Sequence, residues 1–243
     1  MSKLPKAPLL EVIFEIKWDI VSNNDIVDFQ YLHGDLYSII KETFPYRENL
    51  IPSDIPFELV KGTPVYRFRK IENGYPLIQI GPGLLTINTI DNIYFWEDFK
   101  TGIESVFNAF FKVFPKSKGL KLTPVLTYID FFKINPDFQN AIEFINSNLH
   151  LNIHQDFLED QDTNIKDINV TFNYQINKDT LSLNLRNGSI KDNKDGLVLQ
   201  TKIIGEKNIY TSDNLSNWLN ETHDFSSSMF KKITKGPLYN SFK

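Results

Sequence analysis

Cysteine is absent from the 243 residues. That removes disulfides, thiolate nucleophiles, Fe–S clusters and Cys-ligated zinc from consideration. Arginine is scarce. Lys+Arg totals 26, yet only Arg47, Arg67, Arg69 and Arg186 are arginine. Bidentate recognition of phosphate or guanine favours arginine, and a net charge of −4 also argues against wide nucleic-acid binding. No window approaches the ~18 continuous apolar residues of a spanning helix. The opening Met-Ser-Lys-Leu-Pro-Lys-Ala-Pro has no apolar targeting segment, so the expected location is the cytoplasm, without a membrane partner. Walker A, dinucleotide, kinase and G-x-S-x-G signatures are missing.

What is present is a globular composition, 41% hydrophobic and 23% charged, enough to build a sizeable core. Leu10 to Trp18 alternates with period two, which predicts a strand. Ile26 to Thr43 carries Phe29, Leu32, Leu36, Ile39 and Ile40 on one stripe and predicts a helix. A meander follows, with strands expected at Phe57 to Val60, Val65 to Lys70, Leu77 to Ile80 and Leu84 to Asn88. Its turns are Glu72-Asn73-Gly74 and Gly81-Pro82-Gly83. Phe95, Phe99, Ile103, Val106, Phe107, Phe110, Phe111 and Phe114 recur at helical spacing until Pro115.

The order then repeats. Leu122 to Ile134 reads as a strand and Phe138 to Leu149 as a helix. An acidic loop from Asp156 to Asp167 leads to strands at Ile168 to Ile176, Thr180 to Leu185 and Leu197 to Ile204. A helix from Asp213 to about Ile233 closes the chain. The expected fold class is therefore α+β. Two tandem units, 1–118 and 119–243, would each place a long helix across an antiparallel sheet and pack as one body. The order is similar to a helix-grip fold, of which the TATA-binding-protein-like fold is one duplicated form.

Pro8-Leu9-Leu10-Glu11-Val12-Ile13-Phe14-Glu15-Ile16 resembles the P-L-x-E-V-x-F-E-I opening of an uncharacterised bacterial family described as sporadically distributed. The likeness continues at Leu77 to Gly81, at Asn88 and at Tyr94 to Phe99. It returns in the closing helix, where Trp218, Leu219, His223, Asp224 and Phe230 follow a W-L-x-x-x-H-D-x-x-x-x-x-F pattern. One departure is the central strand. Where such proteins tend to read L-R-Y-x-N, this chain has Leu126-Thr127-Tyr128-Ile129-Asp130. The resemblance implies a patchily inherited protein of mobile or defence-associated genes and no particular activity.

Several residues remain as candidates for a binding site. Glu11 and Glu15 share one strand face, roughly 13 Å apart along the chain, wider than a glycosidase pair. They would suit a cationic partner. His223 and Asp224 stand at the edge of the closing helix's apolar stripe. Arg67 and Arg69 share a strand face, and Lys112, Lys116, Lys118 and Lys121 lie near a helix end. His150 and His154 have the spacing of zinc ligands but lack H-E-x-x-H. Asp160-Gln161-Asp162-Thr163-Asn164 opens like a calcium loop, then has Ile165 for glycine and Thr171 for glutamate. No metal, cofactor or catalytic triad is expected. The chain reads as a non-catalytic binding or interaction protein with a separately encoded partner, in a bacterial stress, toxin–antitoxin or phage-defence system. A nucleic-acid-binding module and an enzyme on a small polar substrate, using His223, Asp224 or Glu15, are the alternatives.

Overall fold

Alternation along β1 (Leu9–Lys17) turns Val12, Phe14 and Ile16 to one face, each at most 2% exposed. Glu11, Ile13, Glu15 and Lys17 take the other. The computed structural model describes residues 3–114, 119–134, 138, 140–155, 165–190 and 194–243. Within them the chain forms a mixed α+β fold: an open antiparallel sheet and five α-helices. β1 is central because it pairs on both sides, with β5 (Leu84–Ile90) and with β6 (Lys121–Lys133).

The remaining strands are β2 (Tyr46–Asn49), β3 (Tyr66–Arg69), β4 (Leu77–Gly81), β7 (Asn169–Ile176), β8 (Asp179–Ile190), β9 (Lys194–Ile204) and the two-residue β10 (Asn208–Ile209). Their order is β2-β3-β4-β5-β1-β6-β9-β8-β7, with β10 beside the start of β6. Outward from the β1–β6 pair, the strands therefore run β5-β4-β3 on one side and β9-β8-β7 on the other. The apolar faces of both sides enter one cluster of buried side chains.

The helices follow from caps and stripes. Ser22 caps α1 (Asn23–Ile40) in a capping box with Asp25, and Ile26, Phe29, Leu32, Leu36 and Ile40 are buried. α2 (Trp96–Val113) buries Phe99, Ile103, Val106, Phe107, Ala109 and Phe110. α3 (Ala141–Asn148) is capped by Asn140. Thr211 caps α4 (Ser212–Ile233), which buries Leu215, Trp218, Leu219, Thr222 and Ser226. α1 packs beside α2, and α2 beside α4. α5 (Pro237–Asn240) is a four-residue addition that periodicity does not register.

Two expectations are corrected. Phe57–Val60 is a 3-10 helix, and the outer strand of the meander is Tyr46–Asn49. An edge strand reading Tyr-Arg-Glu-Asn has no apolar stripe, so its pattern is silent. Phe57 instead packs edge-on against Phe29 of α1, with ring centroids 5.2 Å apart. Phe95 is the N-cap of α2 and 55% exposed, outside the buried stripe. The Gly81-Pro82-Gly83 turn joins β4 to β5 as expected. Gly81 is required there because a Cβ would lie 1.8 Å from the Thr63 carbonyl oxygen, and Gly83 has φ of 83°. Most of the acidic loop, the calcium-like run 160–164, the turn at 135–137, Lys116, Lys118 and the unit boundary at 118 lie outside the described residues. No described helix is long and apolar enough to cross a membrane.

Candidate functional site

β6 carries the site's central residues. Its helix-side register is Leu126, Tyr128, Asp130 and Phe132. Asp130 thus occupies a core position, with Leu9 and Leu199 as its cross-strand neighbours. It is 5% exposed. Burial, reinforced by the Asp91 carboxylate, pushes its pKa up to about 7. Among the described residues no hydrogen-bond donor reaches its carboxyl.

α4 supplies the facing wall. His223, Ser226 and Phe230 recur at three and four residues, so they share one helix face. The Tyr128 hydroxyl lies 2.8 Å from His223 Nδ1 and 3.2 Å from the Tyr94 hydroxyl. Trp96, in the first turn of α2, stacks on the His223 ring at 4.0 Å and 6°. Burial pulls the His223 pKa down to about 4, against the opposing pull of neighbouring Asp224. The imidazole is therefore neutral at pH 7. The chain of two hydroxyls and one ring can run either way. If the tyrosines donate toward Nδ1, Nε2 carries the proton and is a donor; in reverse, Nε2 is an acceptor. An NMR titration of the imidazole is expected to give a midpoint well below 6.5, whereas a value at or above 6.5 means the ring is solvated. Tyr128→Phe strands both His223 Nδ1 and the Tyr94 hydroxyl, so it is expected to cost about 1–2 kcal/mol in chemical denaturation.

These groups line a cavity of about 480 Å³ between the sheet, α2, α4, α5 and the segment 3–9. Its walls are largely apolar, including Leu4, Pro8, Phe95, Trp96 and Phe230. Lys3 holds the segment in place. It pairs with Asp91 (3.3 Å to Oδ1), donates to the Asp91 carbonyl and lies over the Phe95 ring. Backbone bonds from Lys6 N to Phe242 O (3.0 Å) and from Phe131 N to Pro8 O (2.8 Å) extend the anchorage. Ser226 Oγ is buried at the cavity without a partner among the described residues. A second cavity of about 600 Å³, between α1, α2 and β5, has Lys70, Asp98 and Lys112 on its lining. None of these is buried.

The sequence-selected residues divide between two places. His223 is in the cavity. Asp224 is exposed on α4 and does not line it. Glu11, Glu15, Arg67 and Arg69 lie on the opposite face of the sheet; Glu15 and Arg67 share the cross-strand row of Glu48 on β2, Arg69 that of Tyr46, and Glu11 stands opposite Ile90. Their donors and acceptors are engaged. Glu11 accepts from Asn88 Nδ2 at 2.8 Å and Tyr75 Oη at 3.4 Å, and Glu15 pairs with Lys17 at 3.4 Å. Arg67 and Arg69 share the Glu48 carboxylate, and Arg69 also donates to the Gly74 carbonyl at 2.8 Å. His150 Nε2 donates to the Lys235 carbonyl at 3.0 Å, just past the end of α4. Among the described residues no cluster of three metal-ligating side chains forms.

Asp130, Tyr94 and Trp96 enter sequence reasoning only within the family likeness and its departure, and Ser226 not at all; none is a candidate site residue there, although two signals exist. Asp130 interrupts an otherwise apolar strand face, and Ser226 extends the α4 stripe at four-residue spacing from Thr222. Comparison with protein-family models, curated proteins and solved structures yields no match for this chain.

Proposed function

We propose that this chain is a binding protein without catalytic machinery, and that the cavity beneath α4 takes a small ligand. The observation that carries the reading is an apolar cavity of about 480 Å³ with an unpartnered buried acid in its wall. The volume falls in the range of small-molecule sites, which combine apolar walls with a few convergent polar groups. A buried, unpaired carboxyl has a high desolvation cost, and such groups cluster at functional sites. The resemblance to the sporadically distributed bacterial family supports the setting: a stress, toxin–antitoxin or phage-defence system in which a separately encoded protein reads the liganded state. The mirrored strand order about β1–β6 supports a duplication of 1–118 in 119–243, on a helix-grip, TATA-binding-protein-like plan. The engaged state of Arg67 and Arg69 weighs against nucleic acid as the ligand.

A fragment screen followed by NMR tests the reading. Saturable shifts of Trp96 and His223 are expected from small aromatic fragments, with a protein partner retained in a pull-down from the native host. No shift at the cavity, or no partner, overturns the corresponding half.

A second reading, an enzyme on a small polar substrate, is favoured by one observation. Asp130, with its pKa pushed up to about 7, is matched to proton transfer at neutral pH. Chemical conversion of a bound fragment, lost in Asp130→Asn, would select it.

A further inference from the structure

The cavity's unmet polar demand lies chiefly in two groups; a third atom, Asp91 Oδ1, also lacks a hydrogen bond but lies 3.3 Å from Lys3 Nζ. The Asp130 carboxyl on β6 and Ser226 Oγ on α4 are each 5% exposed. Both line the cavity; Ser226 Oγ is buried without a partner, and among the described residues burial and the Asp91 charge, with no hydrogen bond, act on the Asp130 carboxyl. Buried polar groups are otherwise almost always paired. The three lysines at the cavity differ. Lys3 is paired with Asp91, Lys243 donates to Asn240 Oδ1 at 3.0 Å and lies over the Tyr239 ring, and Lys231 is not without a partner either. The cations are spoken for, while the acid is not. The second cavity holds no buried side chain in that condition.

We propose that the ligand is a small, flat, apolar-bodied molecule that enters with an N–H donor group, amidine- or amine-like, seated against Asp130 and Ser226. An ionised carboxylate accepts only, so it selects donors; Ser226 Oγ accepts a further N–H or donates to a neighbouring lone pair. The rings of Tyr94 and Tyr128 near the acid favour a cationic or polarised donor over an anion. This assignment rests on the reading of the cavity as a ligand site.

The experiment uses three near-isosteric probes, benzamidine, benzamide and benzoate, with toluene as the apolar reference. Binding to the full chain is measured by calorimetry and NMR at pH 8. The expected order is benzamidine, then benzamide, then benzoate, with at least about tenfold between first and last, the scale of charge-assisted hydrogen bonds. In Asp130→Asn the preference for benzamidine over benzamide collapses while toluene binding persists. In Ser226→Ala benzamidine weakens less. Because the ranking is read first in the unaltered protein, it does not depend on how either variant folds. Benzoate binding as tightly as benzamidine shows that the lysines govern and overturns the proposal. Toluene binding without any of the three overturns the donor assignment alone. Absence of all four overturns the ligand-site reading with it.

Discussion

Replacing Asp130 with asparagine is expected to stabilise the free protein by about 2–3 kcal/mol at pH 8 and not at pH 4. The sign follows from linkage. The folded pKa of Asp130 is raised from 3.8 to about 7, so between those values the folded state holds a proton that the unfolded chain has released. Stability then falls as pH rises through that window. Each pKa unit is worth about 1.36 kcal/mol, which makes the cost of full ionisation on the order of 4 kcal/mol. Asparagine avoids it but still buries a polar amide, which offsets about 1–2 kcal/mol. The difference between the two unfolding curves, measured by denaturant titration across pH, isolates this one group. Curves that coincide at pH 8 would mean that Asp130 is solvated.

His223 contributes the opposite slope. Its folded pKa lies at about 4, below the ordinary 6.5, so the folded state binds fewer protons between those values. Its contribution to stability is complete above 6.5 and is lost as pH falls toward 4. In the unaltered protein the two groups oppose each other in that window. In Asp130→Asn only the histidine slope remains, so acidification from pH 6.5 to 4 should destabilise the variant more steeply.

Phe110→Ala is expected to cost about 3–5 kcal/mol, the range for emptying a buried aromatic site. Phe110 is fully buried. Its ring meets Trp18 at 5.2 Å, Phe114 at 5.4 Å and Phe111 at 5.7 Å. It therefore ties α2 to the end of β1, and three bulky neighbours cannot collapse into the space it leaves. Phe95→Ala, at the other end of the same aromatic run, is expected to cost under about 1 kcal/mol because that ring is already 55% exposed. Thermal and denaturant unfolding of the pair separates the core of α2 from its cavity-facing start. A small loss in Phe110→Ala would contradict the packing described.

The two variants also show how much was legible in advance. Periodicity identifies α2 because its buried residues repeat at helical spacing whatever they pack against. The same rule places Phe95 on that stripe. Periodicity records apolarity but not where the first turn begins, and Phe95 precedes it. β2 shows the converse: a polar edge strand exists only through its pairing with β3, so nothing local announces it.

For the site, His223 was selected by its place at the edge of an apolar stripe, and Asp224 with it. Only His223 reaches the cavity, because a neighbouring residue on a helix is turned by about 100°. Glu11, Glu15, Arg67 and Arg69 were selected as charged residues on strand faces. The strand alternation assigns them a face, but the partners that occupy Glu11, Arg67 and Arg69 come from other strands and turns.

The sequence by itself determined the α+β class, the existence of strand β1, the helical stripes and the missing thiol chemistry. These depend on local period and composition, which need no knowledge of partners. The tertiary structure alone decided that Asp130, Ser226, Tyr94, Trp96 and His223, drawn from positions 94 to 226, line one cavity. That meeting depends on the pairing of β6 between β1 and β9 and on the laying of α4 against it. Both are set by long-range burial of apolar faces, and no short window of sequence contains both sides of such a contact.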